Sequence, residues 1–431
     1  MIDKGIWGHG LLTESSRYED IWVAGDVWWV ADFNNRLFSS SDGGKTWSDP
    51  QDFTDNDAEG EAARCRCLGF SPTGEVGWAG GWQGKASVLK RWTKQTSWQL
   101  VQPLPAAAKK ICGLWAVDDN VMFAAGTNDP ADQSPGVLRT DDQGATWSFT
   151  PLSKMADVLI DIYFSDLQHG WVVGGRRRKS GDPFNRSHLC PVLLVTTDGG
   201  VRWSDAIDGQ ALSSVSEWGW KISVVQGRPA FLSLESKTGG GVLRCTKEGG
   251  WERLEVDGAS HLQGIGFIDS QRGWVSSDYG NDRTWETSDG GATWQEVAQH
   301  MRINRFRLYS EFGVACGASV YRFDRDAPAT VAPRAPGKAR LLQLPAGAAG
   351  LRGHRPVDID IVVPARTQRL VVEIVDPNGG TIVRIANERF PPPGHQRLRW
   401  DGLPDRGLPS YLCRVIADGR SETVPLAFVD G

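Results

Sequence analysis

The stretch SSDGGKTW, Ser40 to Trp47, returns three more times in nearly the same form. The copies are TDDQGATW from Thr140, TTDGGVRW from Thr196 and TSDGGATW from Thr287. Two degenerate copies, KRWTKQTSW and CTKEGGW, lie between them, and with these the spacing becomes nearly regular at about 50 residues, a period typical of propeller blades or solenoid coils. The repeat therefore predicts a modular architecture.

The chemistry of these four stretches, called the repeated turns below, predicts a β-hairpin corner. The Asp carboxylate can cap N–H groups of the turn, and the Gly two residues later can take a positive φ. The Trp is expected to begin a strand and to bury its ring against a neighbouring unit. A metal-binding or catalytic role is disfavoured because repeated units spread these carboxylates around a circumference. The residues assigned to this structural role are Asp42, Gly44, Trp47, Asp142, Gly144, Trp147, Asp198, Gly200, Trp203, Asp289, Gly291 and Trp294.

Each unit reads as four short strands, which is typical of a propeller blade. Seven units are predicted, and the last has only three strands and no repeated turn. The N-terminal segment GIWGHGLL is expected to supply the missing strand and to close the ring. The predicted starts lie near Tyr18, Cys65, Ile111, Val158, Trp218, Leu262 and Ile303. The fold class is therefore all-β, with a seven-bladed β-propeller.

A second domain is predicted at the C-terminal end. The stretch DAPATVAPRAPGKAR is rich in Pro and Ala, a composition typical of a semi-rigid linker. Beyond it, LVVEIVD, TIVRIA, SYLCRVIAD and TVPLAFV read as strands of a small antiparallel sandwich. The predicted boundaries are residues 1–326 for the propeller, 327–340 for the linker and 341–431 for the sandwich.

Composition excludes several classes of function. A net charge of -5 and a pI near 5.9 argue against nucleic-acid binding, and no apolar run is long enough for membrane insertion. No basic and apolar leader is visible, and the seven cysteines are scattered, so a cytoplasmic protein with reduced thiols is expected. Cys65 and Cys67 lack a second ligand pair, and no cofactor motif is present, so neither a metal nor a cofactor is predicted.

The repeated turns together with the GWAGG and GWVVGG echoes resemble the Asp-box, or BNR, repeat of sialidases, sortilin-type receptors and certain xyloglucan-cleaving glycosidases. The combination is most similar to the photosystem II assembly and stability factor family, over residues 18–326. This resemblance implies a seven-bladed propeller without catalysis. The tail, with VVEIVDPNGGTIVRI followed by LRWDGLPDRG, resembles the Ig-like domain of flagellar hook-capping proteins, which implies an Ig-like β-sandwich.

The predicted partner-binding site is the basic stretch GGRRRKSGDPFNRSHLC in the fourth unit, read as an inserted loop. Clustered guanidinium groups favour an acidic surface of a partner protein, although a solvated charged loop has the same sequence signature. The residues assigned to it are Arg176, Arg177, Arg178, Lys179 and Arg186.

The sequence favours a non-enzymatic interaction or assembly scaffold in a bacterial multiprotein complex. The alternative is a carbohydrate-active protein that binds glycans or hydrolyses them with Asp20 and Asp161. Sialidase activity is disfavoured because the chain contains neither FRIP nor YRIP. Exposed aromatic rings could stack on sugars, and the candidates are Trp82, Trp218, Trp220 and Trp285, although packing between blades explains most of the 20 Trp residues.

Overall fold

The computed structural model divides the chain into two compact units, Ile2–Pro328 and Ala329–Gly431. It describes residues 7, 11, 12, 14, 15, 17–54, 63–126, 135–179, 188–277, 283–297, 302–309, 312–324, 357–363, 369–375, 381–389, 394–400, 411–417 and 420–426. In this part of the chain no helix is both long and apolar enough to span a bilayer.

The larger unit consists of antiparallel sheets whose strands pair in chain order. The first two sheets are β1 (Tyr18–Ala24), β2 (Val27–Asp32), β3 (Arg36–Ser40), β4 (Gln51–Asp52), and β5 (Ala63–Phe70), β6 (Val76–Gln83), β7 (Ala86–Thr93), β8 (Thr96–Leu100). The third and fourth are β9 (Ile111–Ala116), β10 (Met122–Gly126), β11 (Gly136–Thr140), β12 (Ser148–Pro151), and β13 (Val158–Phe164), β14 (Gly170–Arg177), β15 (Leu189–Thr196), β16 (Ser204–Asp205).

A one-turn helix, α1 (Gly209–Leu212), precedes the next sheets. The fifth and sixth are β17 (Trp218–Val225), β18 (Arg228–Glu235), β19 (Gly241–Cys245), β20 (Trp251–Glu255), and β21 (Leu262–Phe267), β22 (Gly273–Ser277), β23 (Thr284–Thr287), β24 (Gln295–Glu296). The seventh is β25 (Ile303–Leu308), β26 (Phe312–Gly317), β27 (Val320–Asp324).

The first strands of these sheets contact one another in a closed cycle that runs from β1 through β5, β9, β13, β17 and β21 to β25 and back to β1. Such a cycle places the first strands around a central axis and the later strands outside them. The larger unit is therefore an all-β fold of the β-propeller type, built from four-stranded antiparallel sheets.

In three of the sheets, a glycine near the start of the second strand leaves room for an aromatic ring of the first strand. These glycines are Gly77, Gly170 and Gly273. A Cβ added at Gly77 would lie 2.2 Å from the ring of Phe70, and the same replacement at Gly273 would lie 2.3 Å from the ring of Phe267. The ring of Phe267 in turn stacks at 3.5 Å on Phe231 of the preceding sheet. The repeated Gly-Trp pair therefore makes room for the packing between sheets.

In the repeated turns, the Asp side chain accepts hydrogen bonds from the turn that follows it. Asp42 Oδ1 accepts the N–H groups of Lys45 and Thr46, both at 2.9 Å, and Oδ2 accepts the Thr46 hydroxyl at 2.7 Å. Burial raises the pKa of Asp42, but these donors outweigh it and lower the pKa to about 2. In the third copy Arg202 replaces Thr and donates from Nε to Asp198 at 2.8 Å.

The predicted positive φ is present at the glycine two residues after the Asp in every repeated turn, from +85° to +87°. Gly144 also approaches the preceding sheet closely, since a Cβ there would lie 2.8 Å from Trp78 of the second sheet. The tryptophans stand just before the fourth strand instead of beginning it, and Trp47 precedes β4 by four residues. The positive φ of the turn glycine therefore allows the hairpin corner to pack closely against a neighbouring sheet.

The seventh sheet has three described strands of its own, and the N-terminal segment lies beside the outermost, β27. Trp7 forms an antiparallel bridge with Phe323, and Leu11 N–H donates to Val320 O at 2.9 Å. The Trp7 ring is buried and lies 5.5 Å from Trp274 and 5.3 Å from Phe306. The remainder of GIWGHGLL, apart from Leu12, lies outside the described residues.

The smaller unit contains two antiparallel sheets among its described residues. One pairs β28 (Val357–Val363) with β31 (Gly394–Trp400), and the other has the order β30 (Thr381–Arg389), β29 (Arg369–Val375), β32 (Tyr411–Ala417), β33 (Arg420–Leu426). Ile359, Ile361 and Ile374 are fully buried, so the unit has an apolar core. The predicted linker, residues 327–340, and the Asp401-Gly402 corner lie outside the described residues.

The packing of Trp7 predicts that Trp7→Ala destabilises the larger unit by about 3–5 kcal/mol, because it removes a large buried ring from contact with three aromatics. Denaturant unfolding followed by Trp fluorescence measures this, since 19 of the 20 Trp residues precede the smaller unit. The control is Leu100→Ala, at a side chain 53% exposed, which is expected to change stability by less than about 0.5 kcal/mol. Equal stabilities of the two variants would contradict the packing role of Trp7.

Candidate functional site

A cavity of about 160 Å³ opens where the first strands of the larger unit end. Its walls come from β1, β9, β13, β17, β21 and β25, and from Tyr309 just beyond β25. Apolar side chains such as Ile162 and Leu308 form most of the surface, and polar groups such as those of Asp161, Ser223 and Arg305 form the rest. Cavities of this composition are the usual sites of ligand and partner recognition.

Three aromatic side chains, Trp22, Trp115 and Tyr163, form a continuous arc along one wall of this cavity, which is called the aromatic cavity below. Trp22 and Trp115 meet edge to face with centroids 5.5 Å apart, and Trp115 meets Tyr163 at 4.7 Å. The Tyr163 hydroxyl donates to Gly227 O at 3.0 Å, which fixes its ring. The arc is therefore preorganised, and its members lie on strands of three different sheets.

Two polar side chains, one on β25 and one just beyond it, line the cavity beside Trp22. The Arg307 guanidinium lies 4.1 Å from the Trp22 ring centroid, and its Nε donates to Ile21 O at 3.2 Å. Its Nη1 has no hydrogen-bond acceptor among the described residues, so two N–H donors face away from protein acceptors. The Tyr309 hydroxyl accepts Val23 N–H at 3.0 Å, and burial raises its pKa to about 12, so its proton remains available for donation.

The floor of the aromatic cavity belongs to a buried group of charges on the ring axis, called the axial cluster. Arg305 binds Asp161 through both terminal nitrogens, at 2.9 and 2.8 Å, and its Nε lies 3.2 Å from Asp20 Oδ1. Arg307 also reaches Asp20, at 3.1 and 3.2 Å. Lys221 Nζ lies 3.8 Å from Asp161 Oδ1.

Backbone groups complete the coordination of both carboxylates in the axial cluster. Asp20 accepts the N–H groups of Ile21 at 2.9 Å and Leu68 at 3.0 Å, and Asp161 accepts that of Ile222 at 3.1 Å. At the other end of the axis Glu19 forms ion pairs with Arg17 and Arg66. Each buried carboxylate is thus matched by donors from another sheet.

Asp20 and Asp161 lie near each other, as the glycosidase alternative requires. The Arg305 side chain lies between the two carboxylates, however, in the position where a sugar would have to bind. Burial raises the pKa of Asp161, yet the Arg305 guanidinium and the Lys221 ammonium outweigh it, and the pKa falls well below its ordinary range. A general acid needs a raised pKa to hold its proton near neutral pH. This geometry therefore suits a structural ion pair better than glycoside hydrolysis.

Aromatic residues considered for glycan stacking are mostly buried. Trp218, Trp220 and Trp285 are at most 3% exposed, which corrects the expectation that they are exposed, and Trp82 is half-buried. Among the described residues no group of three or more His, Cys, Asp or Glu side chains has the geometry of a metal site. All seven cysteines are free thiols.

The basic stretch is partly strand and not wholly loop. Arg176 and Arg177 lie in β14 and form ion pairs with Asp205 at 3.0 Å and Asp157 at 2.8 Å. Arg178 donates to the backbone carbonyls of Ser213, at 2.8 Å, and Val215. Lys179 is exposed and has no ion-pair partner among the described residues, and Arg186 lies outside them. A partner-binding role for this stretch stays a prediction.

The residues of the aromatic cavity and the axial cluster were largely missed from sequence. A signal was present, since INRFRL and WKISVV place charged residues inside the apolar first strand of a unit. Asp161 was recognised by this same feature. Applied to every first strand, it would also have selected Lys221, Arg305 and Arg307.

No family model matches the chain. Over 155 residues it is 24% identical to the photosystem II assembly lipoprotein Ycf48 of Synechococcus sp. (strain CC9902). The matched segment covers 35% of this chain and 39% of that protein, so the match spans about two fifths of the relative's length.

Solved structures resemble the chain over a larger share of its length. YCF48 from Cyanidioschyzon merolae has a TM-score of 0.56 at 16% identity, over 74% of this chain and 99% of that one. A structure of YCF48 bound to D1 peptide has a TM-score of 0.54 at 17% identity, over 75% and 99%. The GH74 enzyme of Niastella koreensis has a TM-score of 0.50 at 11% identity, over 99% of this chain and 69% of that one. These likenesses show a fold of the β-propeller type.

The axial cluster predicts that Asp161→Asn destabilises the larger unit by about 3–5 kcal/mol, because Arg305 and Lys221 keep their charges without the carboxylate that compensates them. Denaturant unfolding gives the difference. Asp26→Asn is the control, at an exposed carboxylate in the turn between β1 and β2. The role assigned to Asp161 would be wrong if both variants unfolded at the same denaturant concentration.

Lys221 predicts a dependence of stability on pH. Burial and then the nearby Arg305 lower its pKa from 10.5 to about 8. Between these values the unfolded chain binds this proton and the folded chain does not, so the stability contributed by this site rises from pH 8 to pH 10. Groups with raised pKa values, such as Tyr309, act in the opposite direction but equally in a Lys221→Met variant.

The measurement is the free energy of unfolding of wild type minus that of Lys221→Met, in low-salt buffer between pH 7 and pH 10. The difference is expected to be constant near pH 7 and to increase above pH 8. A difference that does not increase above pH 8 would show that folding does not lower the pKa of Lys221.

Proposed function

We propose that this chain is a non-enzymatic protein-interaction module that binds a segment of a partner protein in the aromatic cavity, as a scaffold in the assembly of a bacterial multiprotein complex. The observation that carries the proposal is the aromatic cavity itself, which combines packed Trp and Tyr rings with the unused donors of Arg307. Trp, Tyr and Arg are the residues that dominate binding energy at protein interfaces.

The chemistry of the aromatic cavity suits a peptide segment. An apolar or aromatic side chain of the partner packs against the rings of Trp22 and Trp115. This packing removes apolar surface of both proteins from water, which favours binding. A carbonyl or carboxylate oxygen of the partner accepts from Arg307 Nη1, and the Tyr309 hydroxyl provides a further donor. The axial cluster holds the floor rigid, so little entropy is lost when the partner binds.

The proposal includes the domain organisation. We place a seven-bladed Asp-box β-propeller at residues 1–326, a linker at 327–340 and an Ig-like β-sandwich at 341–431. The closed cycle of first strands from β1 to β25 and the bridge between Trp7 and Phe323 support seven blades. The two sheets of the smaller unit support a sandwich.

Similarity to an assembly lipoprotein and to a YCF48 structure that holds a peptide supports the class of function. The partner proposed for this chain is a protein, and it need not be the partner of either similar protein. Contacts with an acidic partner surface at Arg176, Arg177, Arg178, Lys179 and Arg186 form a second, weaker part of the proposal. Arg176 and Arg177 already pair with carboxylates of their own sheet, so a partner would compete with those pairs.

The first experiment places a photo-reactive amino acid at Leu308, which lines the aromatic cavity, and at Leu100, an exposed control position outside it. Crosslinking in the native host identifies a protein captured at Leu308 and not at Leu100. The crosslinked segment is then made as a peptide, and its affinity is measured by calorimetry.

Trp115→Ala is expected to weaken that affinity by roughly 30-fold, about 2 kcal/mol, because it removes the centre of the aromatic arc. Trp171→Ala is the matched control, since Trp171 stacks on Tyr163 at 5.7 Å without lining the cavity. Equal losses in both variants would contradict the site. A glycan that bound with the same dependence on Trp115 would favour the carbohydrate alternative instead.

A further inference from the structure

The first strand of each of the seven described sheets in the larger unit carries a β-bulge near its start. A bulge adds one residue to its strand and turns that side chain in a new direction. The bulged residues, each at most 5% exposed, are Glu19, Arg66, Cys112, Ile160, Trp220, Gln263 and Asn304. The Arg66 guanidinium lies 5.2 Å from the centroid of the Trp220 ring, although the two residues belong to the second and fifth sheets. Bulged side chains therefore meet across the ring and close this end of its axis.

The axial cluster lies between the bulged residues and the aromatic cavity. Four of its members, Asp20, Asp161, Lys221 and Arg305, each follow a bulged residue directly in the sequence. Asp161 and Arg305 line the cavity and bind each other through two hydrogen bonds, with side chains only 5% and 6% exposed. A guest therefore enters and leaves the aromatic cavity at its open face and does not pass through the ring.

The volume of the aromatic cavity limits the size of a guest. The cavity measures about 160 Å³. Apolar cavities of about 150 Å³ in proteins accept one molecule of benzene. The aromatic cavity therefore holds one side chain with a single six-membered ring, and a longer stretch of a partner has to remain outside.

The polar side chains of the aromatic cavity disfavour a guest that donates hydrogen bonds. Both oxygens of Asp161 already accept from Arg305. The Ser223 hydroxyl accepts the Phe267 N–H at 2.9 Å, and the Tyr309 hydroxyl accepts a backbone N–H at 3.0 Å, so each hydroxyl keeps its proton for donation. A basic side chain would lose its water here without gaining one of these oxygens, and the guanidinium of Arg305 would repel it.

We infer that the partner is anchored by one phenylalanine-sized apolar side chain, inserted into the aromatic cavity from its open face. The ring of this anchor packs against Trp22 and Trp115, and the chain on either side of it remains outside. This inference rests on the proposed function and names the chemistry by which the partner is recognised at that site.

The test uses 4-fluorotoluene, which is the side chain of a fluorinated phenylalanine without its backbone. Fluorine NMR of the ligand is expected to show binding to wild type with a Kd of about 1 mM. The matched ligand is 4-fluorobenzylamine, which has the same ring and an added ammonium. It is expected to bind at least about tenfold more weakly, because its donors lack acceptors. Equal affinities would overturn the inference.

Matched variants place this binding in the aromatic cavity. Val224 lines the cavity, so Val224→Phe adds a ring there and is expected to weaken binding of 4-fluorotoluene at least about tenfold. Val201→Phe makes the same change at a side chain 69% exposed and is expected to keep the wild-type affinity. Circular dichroism confirms that each variant is folded. Wild-type affinity in Val224→Phe would contradict the site.

Wild-type crystals soaked in 4-bromotoluene provide a measurement that does not depend on a variant. Anomalous density inside the aromatic cavity, together with the binding in solution that Val224→Phe loses, supports the anchor. Crystals without density in the cavity would overturn it. Density without binding in solution would mark binding at crystal concentration only, and would overturn it as well.

The anchor and the proposed function fail in different ways. A partner captured at Leu308 by a protein that does not bind 4-fluorotoluene would overturn the anchor and leave partner binding in place. Binding of 4-fluorotoluene in the cavity when crosslinking at Leu308 captures no protein would support the chemistry of the cavity and overturn the proposed function.

Discussion

Arg305 makes the contact on which the geometry of the larger unit depends. From the seventh sheet it binds Asp161 of the fourth sheet with two hydrogen bonds and lies beside Asp20 of the first. A buried ion pair contributes little net stability, because desolvation offsets the attraction, but its geometry is strict. Arg305 therefore specifies how far apart sheets on different sides of the ring must lie.

The groups around this contact fall into two layers, with ion pairs in the interior and aromatic side chains at the rim of the aromatic cavity. Below the rim of the aromatic cavity, charges and backbone N–H groups bind one another and leave little freedom of movement. At the rim, Trp22, Trp115 and Tyr163 present rings that are fixed by their neighbours, while Arg307 keeps donors unused. Rigid support beneath a few ordered aromatic side chains is what a binding surface requires, and the same ion pairs make the carboxylates unsuited to acid catalysis.

Local patterns in the sequence predicted much of the architecture. The starts of the units and the positive φ of Gly44 and its equivalents follow from turn chemistry and alternation, which act over a few residues. The position of Trp7 beside the last sheet follows from the fourth strand that the last unit lacks. Strand β28, VDIDIVV, was not predicted, although its apolar and acidic residues alternate as in a strand with one buried face.

The contacts within the candidate site could not be predicted from such local patterns. Asp161 and Arg305 are 144 residues apart, and no periodicity of a single unit indicates which first strands face each other across a ring. The basic stretch illustrates the opposite error. A run of arginines was read as a loop, whereas Arg176 and Arg177 extend β14, and each pairs with a carboxylate of the same sheet. Neutralisation of this kind is visible only once strand register is known.

The bridge between Trp7 and Phe323 has a consequence for synthesis of the chain. Trp7 is translated before every strand of the larger unit, whereas β27, its site on the seventh sheet, is the last strand of that unit to be made. At common rates of translation this delay is on the order of tens of seconds. Until then a nascent chain carries a tryptophan without its pocket, and a chain that stops early leaves Trp274 and Phe306 uncovered. Burial of Trp7 thus reports that the whole ring has been translated.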